Sequence, residues 1–206
     1  MSRTSKIFLG VAVAALCGLT SPATAVPGNA AAPVDPSGLG GMQKVSAAEV
    51  QAFEQRSPEK AARLKANSAR SNGGAAIQGE YFRIVNAASD KCLAIGNGSQ
   101  ANSAHAIQWD CTGSDAQLWW VTADHIQNAA SGKFLAIGES SKTKGAHAIQ
   151  WENTGSQGQK WTRSGGFIWN DNSGLVLAIG ESSTANGAHA IQWSYTGSNG
   201  QRWSQL

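Results

Sequence analysis

The sequence predicts an all-β fold, a barrel closed about a threefold axis and preceded by a non-repetitive N-terminal segment. Two observations lead there. From Glu80 onward one 42-residue unit occurs three times without insertion, reading x-L-A-I-G, a polar loop, H-A-I-Q-W, then T-G-S-x-x-Q-x-W. Each unit also breaks into short β-type runs bounded by Gly, Ser, Asn and Thr, none long enough for an ordinary helix.

The segment before the repeat has two parts. Arg3 and Lys6 precede an apolar run from Ile7 to Leu19, and Pro22-Ala23-Thr24-Ala25 ends in small residues. That pattern is a secretory signal peptide over residues 1–25, cleaved after Ala25. Thirteen apolar residues are too few to cross a bilayer core of about 30 Å, so no membrane span is expected. Leu16 stands before Cys17 where lipid attachment wants a small residue, which argues against a lipid anchor. Cleavage leaves 14 basic against 13 acidic residues and two of the three cysteines. Near-neutral charge excludes a basic nucleic-acid surface, and an even cysteine count in an exported chain reads as one disulfide.

Residues 26–79 are expected to be a linker, disordered at first because Pro, Gly and Ala over 26–41 cannot bury a core. Two short helices should follow, over about 46–66. Ser46 and Glu49 form a capping box. Ser57-Pro58 starts a second helix with proline in its first position, running through Ala61, Ala62 and Leu64. Two readings are open for residues 42–70: a partly helical spacer, since helices this short are marginal alone, or an arm that folds onto a partner protein. Ser71-Asn72-Gly73-Gly74 is a flexible joint.

The repeats occupy 80–206. In the first unit the strands are expected at Tyr81–Val85, Cys92–Ile95, Ala106–Asp110 and Leu118–Thr122. The copies restart at Lys91, Lys133 and Leu175, and their Q-x-W triplets end at Trp119, Trp161 and Trp203. Three units of four strands give twelve. An open array of them would leave edges unpaired, and closure about an axis removes those edges.

Three in-register Q-x-W triplets, with W-x-C at Trp109–Cys111, resemble the ricin B-type lectin repeat over Glu80 to Leu206. The resemblance implies a β-trefoil of three lobes and, for many members, sugar binding. It implies an intra-repeat disulfide between Cys92 and Cys111, absent from the other copies, where Phe134 and Asn153, then Val176 and Tyr195, stand instead. It assigns Gln117, Trp119, Gln159, Trp161, Gln201 and Trp203 to structure, with Leu93, Ile95 and their copies joining the core. Trp109 matches the family's sugar-stacking ring.

Trp109, Trp151 and Trp193 are therefore the candidate sugar platforms, because a pyranose offers a C–H face that an indole can cover. Alternation places Ile107 beside Trp109 and Gln108 on the opposite face. The sequence departs from the family at the polar partner. The usual aspartate is Ala94, Ala136 or Ala178, and the asparagine before the Q-x-W glutamine is Ala116, Gly158 or Gly200. Substitute polar groups are Asn97, Glu139 and Glu181, together with His105, His147 and His189. Each histidine precedes a strand after a small-residue loop, a position expected at the rim of its own lobe and far from its copies. No metal site and no cofactor are expected. The chain has no G-x-S-x-G, H-E-x-x-H or phosphate-loop motif. Its distinctive residues come in triplicate, which suits repeated weak binding better than one reaction centre. The expected function is a secreted, non-enzymatic lectin with up to three shallow glycan sites. The alternative is a protein-interaction module of a secreted assembly that has lost sugar binding.

Overall fold

The computed structural model describes residues 42–71 and 79–203. The expected signal peptide over 1–25, the expected linker over 26–41, the expected joint after Ser71 and the last three residues lie outside the described residues. The described residues hold twelve strands: β1 Met42–Lys44, β2 Glu80–Ile84, β3 Cys92–Ile95, β4 Ala106–Trp109, β5 Trp119–Val121, β6 Ile126–Asn128, β7 Phe134–Ile137, β8 Ala148–Trp151, β9 Trp161–Ser164, β10 Phe167–Asn170, β11 Val176–Ile179 and β12 Ala190–Trp193. Eleven belong to the trefoil, and the twelfth position of the repeat begins at Trp203, where the described residues end. β1 comes from the N-terminal segment.

Each lobe is built on a hairpin whose register the repeat fixes. β3 pairs with β4, β7 with β8 and β11 with β12, so that Cys92, Phe134 and Val176 face Trp109, Trp151 and Trp193 respectively. All four residues of β3, β7 and β11 are buried. Leu93, Ile95, Leu135, Ile137, Leu177 and Ile179 meet Trp119, Trp161 and Trp203 in one central core. Those three indoles are wholly buried, and burial leaves each N–H in need of an acceptor. Each donates to the carbonyl of Leu93, Leu135 or Leu177, at 2.9 Å in every lobe.

The Q-x-W glutamines staple the turn that precedes them. Gln117 Oε1 accepts from Thr112 N and Oγ1, and Gln117 Nε2 donates to Asp110 O. Gln159 and Gln201 repeat this with Thr154 and Glu152, and with Thr196 and Ser194. The structural role implied by the resemblance is thus a side chain that replaces missing backbone partners. The Cys92–Cys111 disulfide is formed.

The N-terminal segment corrects the expectation of a linker. Helix α1 spans Ala47–Arg56 and helix α2 spans Pro58–Ser71, and the expected starts are found: Glu49 N donates to Ser46 Oγ, and Pro58 opens α2. Helix α2 runs past the predicted end near 66. Neither helix is a free arm or a spacer. β1 pairs antiparallel with β2, Met42 facing Ile84 and Lys44 facing Phe82. Val45, Phe53, Ala61 and Leu64 close a second core with Tyr81, Leu118, Trp120 and Ala129 of the trefoil. Phe53, Tyr81 and Trp120 stack edge to face, with centroids 5.4 and 4.8 Å apart. Trp120 Nε1 and Gln127 Nε2 both donate to Ser68 Oγ, and Arg56 and Lys60 meet Asp115. The apolar faces over 42–70, read as able to meet a partner protein, are occupied by the chain's own trefoil.

Candidate functional site

Each L-A-I strand is followed by a glycine that opens a one-turn 3-10 helix. Its second residue is Asn97, Glu139 or Glu181, at φ 54°, 54° and 56°. Left-handed backbone costs an L residue about 1–2 kcal/mol. Asparagine tolerates it and glutamate does so less readily. In lobes 2 and 3 the following serine, Ser140 or Ser182, is left-handed as well, where lobe 1 has Gly98. Non-glycine strain of this kind gathers where surrounding structure fixes a functional geometry.

Between this turn and the H-A-I-Q-W strand lies a cleft. In lobe 2 it measures about 630 Å³ and brings together Glu139, His147, Trp151 and Gln159 with Ser103 and His105 of lobe 1. In lobe 3 it measures about 860 Å³ and brings together Glu181, His189, Trp193, Thr196 and Gln201 with His147 of lobe 2. Ala136 and Ala178 line these clefts and are buried, so apolar floor stands where the family carries a carboxylate. In lobe 1 Asn97 is exposed on the equivalent turn.

Strand alternation behaves as the sequence predicts: Gln108 is buried, and Trp109 faces outward. Trp109 is 45% exposed and Trp193 43%, whereas Trp151 is half-buried. The backing of each ring comes from another lobe. A Cβ on Gly187 would touch the Trp109 ring at 3.8 Å, and one on Gly145 the Trp193 ring at 3.7 Å. Ser103, at φ 66°, holds that place in the cleft of Trp151. The three tryptophans therefore sit at lobe junctions.

Sequence reasoning missed what makes those junctions. Gln150 Nε2 donates across the boundary to the carbonyls of Ser99 and Ala101 in lobe 1. Gln192 does the same to Ser141 and Thr143, and Gln108 to Ser183 and Ala185. Their Oε1 atoms accept from Ser131, Ser173 and Ser89. The available signal was a repeated glutamine on the inward face of a strand, a polar side chain that must find partners once buried. At the junction of lobes 1 and 3 Asp110 adds a carboxylate, held by Lys91 and Asn186. Those hydrogen bonds lower its pKa.

The histidine placement is corrected. His105, His147 and His189 do not lie at separate rims; they converge on the threefold axis, with ring centroids 4.6, 4.7 and 4.9 Å apart. Bridges His105↔Ile149, His147↔Ile191 and Ile107↔His189 join the lobes there. Desolvation by burial lowers the pKa of His105, and its two neighbours' charges lower it further. His147 is lowered by burial and then by His189.

A trefoil with a cleft and an outward indole in repeated lobes has the architecture of a sugar-binding β-trefoil. Residues 80–203 match the ricin-type beta-trefoil lectin domain, and the chain belongs to that family. Among solved structures it is similar to ThreeFoil, a designed protein of threefold symmetry. The two share 30% identity at a TM-score of 0.56, over 60% of this chain and 96% of that one. It is also similar to the exo-beta-1,3-galactanase 1,3Gal43A of Clostridium thermocellum, at 29% identity and a TM-score of 0.57, over 61% of this chain and 30% of the galactanase. The mdaA-1 domain matches at 26% identity and 0.54, over 60% of this chain and 87% of that domain. No curated protein matches the chain. Among the described residues no helix is long and apolar enough to cross a membrane.

Proposed function

We propose that the chain is a secreted, non-enzymatic carbohydrate-binding protein that holds a polysaccharide or glycan in up to three shallow clefts. The observation that carries this reading is the outward indole of Trp109 and Trp193, backed by glycine from a neighbouring lobe. A bare aromatic face beside polar side chains suits the apolar side of a pyranose ring. Glu139 and Glu181 supply acceptors for sugar hydroxyls in place of the missing aspartate, Asn97 serves in lobe 1, and His105, His147 and His189 border the clefts. The similarity to a galactanase chain supports a polymeric ligand, on which three weak sites gain avidity. Secretion is supported by the disulfide, which persists in an oxidising compartment.

The test is binding of the purified full chain to a glycan array and to cell-wall polysaccharides by affinity electrophoresis. Trp193→Ala should weaken binding by about tenfold per site, the equivalent of about 1.4 kcal/mol of lost stacking and coverage. The triple variant at Trp109, Trp151 and Trp193 should not bind. No glycan binding by the wild type, with a stoichiometric protein recovered in pull-downs, would replace this reading with the protein-interaction module.

A further inference from the structure

We propose that His105, His147 and His189 form a site for one divalent first-row transition ion on the pseudo-threefold axis, with zinc as the reference ion. One ligand nitrogen from each residue lies within 4.8 Å of the others, and Nδ1 of His105 and Nδ1 of His189 approach to 2.7 Å. Tetrahedral zinc with nitrogens at about 2.0–2.1 Å sets them about 3.4 Å apart.

The backbone is already fixed on both sides of each ring. The carbonyls of His105, His147 and His189 accept from Gly96 N, Gly138 N and Gly180 N, at 3.0, 3.1 and 2.9 Å. The residue before each is locked to another lobe: the carbonyls of Ala104, Ala146 and Ala188 accept from Gln150 N, Gln192 N and Gln108 N, all at 2.9 Å. Ligands carried on a preformed ring lose little freedom when an ion arrives. Three imidazoles without a carboxylate or thiolate suit zinc, copper or nickel, and are poor ligands for magnesium or calcium. Three protein ligands leave a fourth position to water, at the border of the clefts that His147 and His189 line.

The experiment uses the full chain, stripped with chelator and titrated with zinc chloride by calorimetry, with cobalt(II) absorption as a second probe. One ion per chain is expected, with a visible band of low-symmetry cobalt and a thermal midpoint that rises with zinc. His147→Ala should lose stoichiometric binding. The triple variant at His105, His147 and His189, checked for folding by near-ultraviolet circular dichroism, should bind none. If the triple variant does not fold, the wild type still decides, because zinc must shift the ring-proton resonances of three histidines together and leave His125 unmoved. Absence of cobalt absorption at millimolar metal, binding retained by a folded triple variant, or a shift confined to His125 would overturn the site. Glycan binding is measured separately, so loss of one reading leaves the other standing.

Discussion

Lobe 1 and lobe 2 follow the same 42-residue plan, yet one edge of lobe 1 is covered and the equivalent edge of lobe 2 is open. In lobe 1 that edge carries Tyr81, Leu118 and Trp120, all buried beneath the N-terminal helices. In lobe 2 the same positions are Ala123, Lys160 and Thr162, and in lobe 3 Gly165, Arg202 and Ser204. Ala123 and Thr162 are exposed. At this edge the repeat departs from itself where its one non-repeated segment packs. Broken symmetry in a repeat protein therefore points to an asymmetric neighbour, and here that neighbour is the chain's own N-terminal segment.

The comparison can be broken most severely at Trp120. Trp120→Ala removes the indole that joins Tyr81 to Ser68 and should cost about 3–5 kcal/mol, measured by urea denaturation. Writing the lobe 2 residues into lobe 1, with Tyr81→Ala, Leu118→Lys and Trp120→Thr together, should release the helices to limited proteolysis while the trefoil stays resistant. A segment that remains protected would mean that its ion pairs to Asp115, and not the apolar core, hold it.

The disulfide sharpens the same contrast. It joins residues 19 apart in lobe 1, where lobe 2 has Phe134 facing Trp151 without a covalent tie. Replacing both cysteines by alanine should cost about 3 kcal/mol on the chain-entropy account, read as a lower thermal midpoint. Glycan binding by lobes 2 and 3 should persist.

The smallest expected effect concerns the turns. Glu139→Asn and Glu181→Asn put in lobes 2 and 3 a residue of the kind lobe 1 already uses in left-handed backbone. Stability should rise by about 0.5–1 kcal/mol per site. Glycan affinity should fall, because the carboxylates are lost. A gain in stability with unchanged affinity would show that these side chains do not touch the ligand.

Much of this was legible in the sequence, for reasons that can be named. Spacing without insertion fixed the three lobes, and period-two alternation placed Trp109 outward and Gln108 inward. The capping box at Ser46 and the proline at 58 located both helix starts. Docking of those helices was not legible, since apolar residues such as Phe53 in α1 and Ala61 and Leu64 in α2 say that something must be covered but not by what. The histidines were placed correctly before their strands and wrongly in radius. A 42-residue spacing states that three positions are related by rotation; only the bridges between lobes set their distance from the axis. What Gln108, Gln150 and Gln192 bond to was not legible, because a side-chain partner 49 to 77 residues away leaves no local pattern.

Those glutamines have a consequence for how such a fold can exist at all. Each lobe reaches for the loop of another and offers its own in return, around a circle without a first member. A solitary 42-residue copy would carry a hand with nothing to grasp and a loop with nothing to grasp it. It could satisfy both only by meeting two more of itself, in a ring of cyclic symmetry. The smallest self-sufficient object built on this plan is therefore a set of three, whether strung on one chain or gathered from three.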